Sequence, residues 1–253
     1  MIIIGLGTGR SGTTSLAGLL GLQPETIILH EMNPSSMRFS DTPAPVLNTI
    51  KEFGAILDGG DPSFLTADLG RTPTVASYDK LCAMPKVSHI GDIAFYYLTY
   101  VEDIIATSDK VRFVCLKRDR SATIKSWQKK AAIRRWTSKW LADRFSSFIQ
   151  RIPFYKSKNF WMDHDGSRWL PDAVWDKCFP SFEADSMEEA IGKYYDYYYA
   201  EAEKYQEKFP DVFQIFSLEE LNTEDGKHAI MDFCGFDKKN RNMEDVWVHR
   251  IKE

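Results

Sequence analysis

The first residues equipped for chemistry stand in a glycine-rich stretch near the start of the chain, GLGTGRSGTTS. Gly7 and Gly12 have the spacing of the phosphate loop G-x-x-x-x-G-K-[ST], and Thr14 occupies its final hydroxyl position. Thr13 stands where that loop carries its lysine, and Arg10 supplies a cation inside the loop instead. Because glycines let main-chain N–H groups approach an anion closely, the stretch predicts a phosphate or sulfate cradle without the usual lysine.

A second candidate anion site follows VRFVCL, the most regular apolar strand pattern in the chain. Arg118 comes just after this pattern, and Ser126 lies eight residues further on. A guanidinium makes charge-assisted contacts with a phosphate dianion, and a hydroxyl can complete its coordination. Residues 110–144 are strongly basic in a chain whose formal net charge is -4. Such a block indicates a site for a polyanionic small molecule, and a solvated helix face is the alternative.

Together these two segments resemble the sulfotransferases that use 3′-phosphoadenosine 5′-phosphosulfate (PAPS). RSGTTSL resembles their 5′-phosphosulfate loop, and the arginine-to-serine spacing resembles their 3′-phosphate site. The segment IFSLEELNTEDGKHAIMDFCGF resembles their closing strand and helices. The resemblance implies PAPS as the donor, 3′-phosphoadenosine 5′-phosphate (PAP) as the product, and no metal. It implies a cofactor-binding role for nine residues: Gly9, Arg10, Ser11, Gly12, Thr13, Thr14, Ser15, Arg118 and Ser126.

Sulfuryl transfer to a hydroxyl or amine requires charge stabilisation at the leaving oxygen and a base for the acceptor's proton. Arg10 is expected to stabilise that charge. Glu31, in ILHEMNP, stands where similar carbohydrate and tyrosyl-protein sulfotransferases have a catalytic glutamate. His89, in KVSHIGD, is similar to the histidine that acts as the base in cytosolic sulfotransferases. Glu31 and His89 are therefore competing candidates, with His30 as a third, and the alternative for each is a main-chain partner at a strand end.

Short apolar runs alternate with helical patterns, which indicates an α/β fold with a parallel sheet. We expect a three-layer sandwich around a central sheet of four to five strands, and the resemblance implies that it is like that of P-loop NTPases. Asp92 is expected to cap a helix. The predicted strands are residues 2–4, 26–29, 86–88, 111–116 and 212–215; the predicted helices are residues 15–20, 44–56, 93–106, 121–135, 186–208 and 224–233.

A single domain over residues 1–253 is expected, because no linker or repeat divides the chain. Residues from about 127 to 185 are expected to form a helical insertion that binds the acceptor as a lid. Aromatic faces suit a sugar or ring, and cations suit an anionic acceptor. The alternative is a helical subdomain that packs its own aromatic residues. The tryptophans concerned are Trp127, Trp136, Trp140, Trp161, Trp169 and Trp175.

The composition excludes several classes of protein. A net charge of -4 and a pI near 5.8 argue against general nucleic-acid binding. No run approaches the roughly 20 apolar residues of a membrane span, and no signal peptide is evident. The cysteines, Cys82, Cys115, Cys178 and Cys234, lack metal-binding spacing, which predicts reduced thiols and a cytoplasmic location. The expected partner is a small-molecule, carbohydrate or lipid acceptor, whose identity the sequence leaves open together with the oligomeric state.

Two other functions also remain open at the level of sequence. A P-loop small-molecule kinase would use the same loop spacing, but Thr13 and the Arg118/Ser126 pair disfavour it. A PAP- or PAPS-binding protein without turnover would use the same residues as the enzyme.

Overall fold

The computed structural model of the chain describes residues 1–33, 40, 42–135, 177–180, 182 and 184–244. Its strands are β1 (Ile2–Leu6), β2 (Thr26–His30), β3 (His89–Ile93), β4 (Val111–Lys117) and β5 (Phe213–Ser217). They pair in parallel in the order β2-β3-β1-β4-β5. The five-stranded parallel sheet and its flanking helices confirm the predicted α/β class.

The helices alternate with the strands along the chain, as right-handed crossover connections require. They are α1 (Thr13–Gly21), α2 (Ala44–Leu57), α3 (Thr72–Ala83), α4 (Val101–Thr107), α5 (Arg120–Arg135), α6 (Met187–Lys208), α7 (Leu218–Leu221) and α8 (Glu224–Phe233). Short 3-10 helices occur at Pro62–Phe64, Phe95–Tyr100 and Lys238–Asn240.

The β1 strand occupies the centre of the sheet and is buried along its whole length. Its β-branched side chains suit a strand that is covered on both faces. The chain leaves β1 towards β2 on one side, and it later passes from β3 to β4 on the other side, so the strand order reverses around β1. In open parallel sheets, ligands bind at such a reversal, beyond the carboxyl ends of the strands.

A hydrophobic cluster holds α1 and α8 against one face of the sheet. Ile3 and Val114 from the central strands meet Leu16 of α1 and Ile230 of α8, and all four are fully buried. Burial of a side chain of this size contributes about 1.5–3 kcal/mol to the free energy of unfolding. The start of α1, which follows the glycine-rich stretch, is therefore held firmly at the carboxyl end of β1.

The structure differs from the sequence prediction around the third strand. The strand spans His89–Ile93 instead of residues 86–88, and the helix expected from residue 93 is replaced by a 3-10 helix and the shorter α4. Asp92 does not cap a helix, because it lies inside β3 and is fully buried. The α3 helix was not predicted, although Pro73 at its second position is a common residue at a helix start.

The chain divides into two compact units, Met1–Arg118 with Glu201–Glu253, and Asp119–Ala200. Within the second unit, the Arg120 guanidinium donates to both carboxylate oxygens of Asp196, at 2.7 and 2.8 Å. In the same unit the rings of Phe179 and Tyr194 stack, with centroids 4.2 Å apart. The expectation of one domain over residues 1–253 remains a prediction.

Most of the predicted lid lies outside the described residues. This applies to Trp136, Trp140, Trp161, Trp169 and Trp175. Trp127 is described, and it is buried on α5. Acceptor binding by this segment therefore stays a prediction.

Candidate functional site

The candidate site begins with the loop that joins β1 to α1, residues Gly7–Thr14, which we call the phosphate loop. It lies at the carboxyl edge of the sheet, meaning the edge at which the parallel strands end. Gly12 is the N-cap of α1, no side chain caps this helix end, and its first turn carries no acidic residue. The N–H groups there are suited to an anion, which the positive end of the helix dipole also favours.

Left-handed backbone conformations shape the phosphate loop. Gly9, Arg10 and Gly12 have φ values of 75°, 61° and 98°. A Cβ atom on Gly12 would lie 2.6 Å from Cδ1 of Leu218, so a larger residue would also collide with the start of α7. Arg10 adopts a conformation that non-glycine residues avoid at a cost of about 1–2 kcal/mol. Such turns direct successive N–H groups towards one point and form an anion-binding concavity.

Arg118, the residue after β4, is hydrogen-bonded to the phosphate loop. Nη1 of Arg118 donates a hydrogen bond to the main-chain oxygen of Arg10 at 3.1 Å. Burial and the nearby positive charge of Arg118 lower the pKa of the Arg10 guanidinium. The two guanidinium groups therefore repel each other, and a nearby anion would relieve that repulsion. The two cations that sequence analysis assigned to separate anion sites therefore lie together.

Hydroxyl groups accompany these cations. Ser11 is fully buried, and its Oγ lacks a hydrogen-bond partner within the described part of the chain. A Cβ atom added to Gly7 would collide with this Oγ, so the Ser11 hydroxyl needs glycine at position 7. Thr13 and Thr14 begin α1, and Oγ1 of Thr13 lies 3.4 Å from Nε2 of His30 at the end of β2. The structure thus brings the predicted loop residues and His30 together.

Glu31 follows His30 at the same edge and has a left-handed φ of 50°. Its N–H donates to the oxygen of Ile93 at the end of β3, at 3.1 Å. Its carboxylate pairs with Arg71, with Oε2 and Nη2 3.6 Å apart, and about a third of each side chain is exposed. Glu31 is therefore a partly exposed carboxylate, one residue from a contact with the phosphate loop.

His89 lies at the other edge of the sheet. It begins β3, beside Thr26 at the start of β2, whereas the strand ends four residues later at Ile93. A strand rises by about 3.3 Å per residue, so His89 lies about 13 Å from the carboxyl edge of the sheet. Its ring stacks on Phe236 at 4.1 Å, and burial together with the nearby N-terminal ammonium lowers its pKa to about 4. The structure does not bring His89 to the phosphate loop.

Arg118 and Ser126 belong to different compact units. Arg118 ends the first segment of one unit, and Ser126 is a buried residue of α5 in the other. Asp119 caps α5, since its Oδ1 accepts from the N–H of Ala122 at 2.8 Å. A shared phosphate contact by Arg118 and Ser126 stays a prediction.

Sequence reasoning missed Asp92 as a buried support for Met32, the residue that follows Glu31. Both of its carboxylate oxygens lie 3.2 Å from the N–H of Met32, and its Oδ2 accepts from the hydroxyls of Tyr96 and Tyr97 at 3.2 and 2.9 Å. Burial raises the pKa of this carboxyl group to about 6 against the effect of its hydrogen bonds. An acidic residue inside an otherwise apolar strand was the available signal, because such a residue needs buried donors.

No group of three or more side chains suited to metal binding occurs in the described ranges of the chain. Likewise, none of the helices that the structure describes is both long and apolar enough to traverse a bilayer. All four cysteines are free thiols, of which Cys82 alone is exposed.

Comparison with known proteins finds likeness among solved structures. No protein-family model matches the chain. No curated protein matches it. Among solved structures, the chain is similar to a sulfotransferase from Alicyclobacillus acidocaldarius, with a TM-score of 0.50 and 14% sequence identity. The likeness covers 93% of this chain and 81% of that one. At this identity the comparison supports the fold.

Proposed function

We propose that the chain is a sulfotransferase that moves a sulfuryl group from PAPS to an acceptor hydroxyl or amine and releases PAP. The hydrogen bond from Arg118 to the Arg10 carbonyl is the observation that carries this proposal. It supports a site in which the cation after β4 and the cation inside the phosphate loop act on one ligand. A donor with a phosphate at each end of its ribose would satisfy both cations.

The residues of the phosphate loop fit an anionic donor. Gly9 and Gly12 adopt left-handed conformations that direct main-chain N–H groups inward, and the uncapped N-terminus of α1 offers further N–H groups. The buried Ser11 hydroxyl is a further donor without a protein partner among the described residues. Buried polar atoms left without partners are uncommon in proteins, and a bound ion or water is one way to satisfy them.

PAPS supplies an activated sulfuryl group on a phosphosulfate anhydride. The acceptor oxygen forms a bond to sulfur, the bond from sulfur to the bridging oxygen breaks, and the electron pair leaves with PAP. In this proposal Arg10 and the loop N–H groups stabilise the negative charge on the bridging oxygen. Thr13 and Thr14 donate to the same end of the donor, and the loop holds it in line with the acceptor.

Glu31 is the proposed base, and it removes the proton of the acceptor hydroxyl. Its position at the carboxyl edge, next to the residue that contacts Thr13, supports this role over His89. Arg118 and Ser126 are proposed to bind the 3′-phosphate, which would distinguish PAPS from ATP. No metal is part of this scheme.

Calorimetric titration with PAP, AMP and ATP tests the proposal. We expect PAP to bind at least tenfold more tightly than AMP, because only PAP carries the 3′-phosphate. Equal affinity for PAP and AMP, or preference for ATP with magnesium, would contradict it and favour a kinase. Tight PAP binding without transfer of labelled sulfate to any acceptor would instead favour a binding protein.

A further inference from the structure

Arg71 lies beside Glu31, and its guanidinium has unused hydrogen-bonding capacity. The 3.6 Å between its Nη2 and Oε2 of Glu31 exceeds hydrogen-bond range, so the two groups form a loose ion pair. Its Nε is buried and has no hydrogen-bond partner in the described part of the chain. A guanidinium offers five donors, and proteins seldom bury one of them without an acceptor.

The main chain holds Arg71 in this position. Its N–H donates to the oxygen of Asp68 at 3.2 Å, and the N–H of Asp68 donates to the oxygen of Met32 at 3.0 Å. Met32 is in turn held by the buried carboxylate of Asp92. The segment that carries Arg71 is therefore tied to the residue that follows Glu31, and the ion pair is not a chance surface contact.

Thr74 gives a second, independent observation. It is only 2% exposed, and its Oγ1 has no hydrogen-bond partner among the described residues. Residues three apart on a helix are neighbours on its surface, so Thr74 lies on the same side of the first turn of α3 as Arg71. Two buried donors without acceptors thus occur together at one helix end.

The N-terminus of α3 adds N–H groups to these side chains. Arg71 is the N-cap of this 12-residue helix, no side chain caps it, and the first turn contains no acidic residue. Pro73 has no N–H group, whereas Thr72 and Thr74 keep theirs. The helix end therefore presents free donors and the positive end of the helix dipole on the side of Arg71.

From these groups we infer that Arg71, Thr74 and the N-terminal N–H groups of α3 bind an oxyanion carried by the sulfuryl acceptor. This inference rests on the function proposed above. The charged groups that face the site are Glu31 from the end of β2 and Asp68, whose Oδ1 already accepts from the N–H of Gly70 at 3.1 Å. The acceptor's oxyanion competes with Glu31 for Arg71 and leaves the Glu31 carboxylate free to take the acceptor's proton.

The geometry also limits the acceptor. Because the guanidinium and the carboxylate are 3.6 Å apart, the oxyanion and the reacting hydroxyl must lie within a few bonds of each other. The acceptor class is therefore a hydroxyl compound that bears a carboxylate, sulfate or phosphate close to the hydroxyl.

A titration with sodium sulfate tests the binding site directly. The Nε–Hε resonance of Arg71 and the amide resonance of Thr74 are followed in the full chain, with and without saturating PAP, at an ionic strength held constant with sodium chloride. We expect both resonances to shift saturably in either case. Arg71→Ala should abolish the shift at Thr74, whereas Lys86→Ala should leave it intact, since that lysine pairs with Glu25 at the other edge of the sheet. Unmoved resonances would overturn the site.

Transfer from labelled PAPS tests whether the bound anion belongs to the acceptor. Each anionic hydroxyl compound is paired with a neutral one: 2-hydroxybenzoate with 2-hydroxybenzamide, glucuronate with glucose, and glycerol 3-phosphate with glycerol. We expect the anionic members to have kcat/KM values at least tenfold higher, and Arg71→Ala to remove most of that difference. Sulfate binding with no such preference, or no transfer to any anionic member, would overturn the acceptor assignment. Failure of PAP to bind would refute the proposed function, while the titration without PAP still decides the site.

Discussion

The Arg118 guanidinium donates to the main-chain oxygen of Arg10 across 3.1 Å and so joins the end of β4 to the phosphate loop after β1. The two residues are 108 positions apart in the chain and meet because β1 and β4 are neighbours in the sheet. Burial, together with the positive charge of Arg118, lowers the pKa of the Arg10 guanidinium. This relationship leads to the first prediction.

Arg118→Ala should weaken PAP binding by about 10- to 100-fold, since a charge-assisted pair with phosphate is worth about 1.5–3 kcal/mol. AMP affinity should change less than twofold, because AMP lacks the 3′-phosphate. Calorimetry on both ligands measures the difference, and Lys86→Ala serves as a control for the loss of one positive charge. An equal loss for AMP and PAP would mean that Arg118 acts through the shape of the loop instead.

Glu31→Gln should lower the rate of sulfuryl transfer by about 100-fold or more, because an amide cannot accept the acceptor's proton. The dissociation constant of PAP should stay the same, since Glu31 is not expected to touch the nucleotide. His89→Gln is the comparison variant, and it should retain most of the activity because His89 lies at the opposite edge of the sheet. A reversed result, with activity lost only in the histidine variant, would make His89 the base.

Asp92 and His89 should give opposite dependences of stability on pH. The pKa of Asp92 is about 6 in the folded protein and about 3.9 when unfolded, so the folded state holds its proton more tightly. Its contribution to stability therefore falls as the pH rises from about 4 to 6, by up to about 3 kcal/mol. The pKa of His89 is about 4 when folded and about 6.5 when unfolded, so its contribution rises over a similar range.

Urea unfolding of the wild type between pH 4 and 7.5 should show these two effects in partial cancellation. In Asp92→Asn, the free energy of unfolding should increase more steeply with pH than in the wild type. In His89→Gln, the free energy of unfolding should increase less steeply with pH than in the wild type, or decrease. Parallel pH curves for the wild type and Asp92→Asn would show that folding does not raise the pKa of Asp92.

Gly12→Ala should destabilise the protein by about 1–3 kcal/mol and abolish PAP binding. Its φ of 98° disfavours a side chain, and the new Cβ would meet Leu218 at 2.6 Å. Gly54→Ala is the matched control, because no atom lies within 4 Å of a Cβ at that position in α2. That change should raise the free energy of unfolding by about 0.5–1 kcal/mol. Thermal unfolding of the two variants should shift in opposite directions.

Some elements were predictable because the signal for them is local. The β-branched run Ile2–Ile4, the glycine spacing of the phosphate loop and the apolar pattern before Arg118 each depend on residues that are close in sequence. Pro73 is a helix-start signal, but proline and glycine are frequent in the residues before it, and that composition is typical of loops. The strand at His89–Ile93 was displaced in the prediction because its glycine and its aspartate weaken a strand pattern.

The sequence by itself determined the α/β class and the positions of the loop and its arginine, because periodicity and backbone preference act over a few residues. Only the tertiary structure decided which strand end each candidate occupies. Strand order and register placed Glu31 at the edge that holds the phosphate loop and His89 at the opposite edge. Main-chain hydrogen bonds between Arg71 and Asp68 and between Asp68 and Met32 brought Arg71 beside Glu31. These placements depend on contacts between segments that are distant in the chain. The loop-closure entropy and packing energy of such contacts cannot be read from a local sequence pattern.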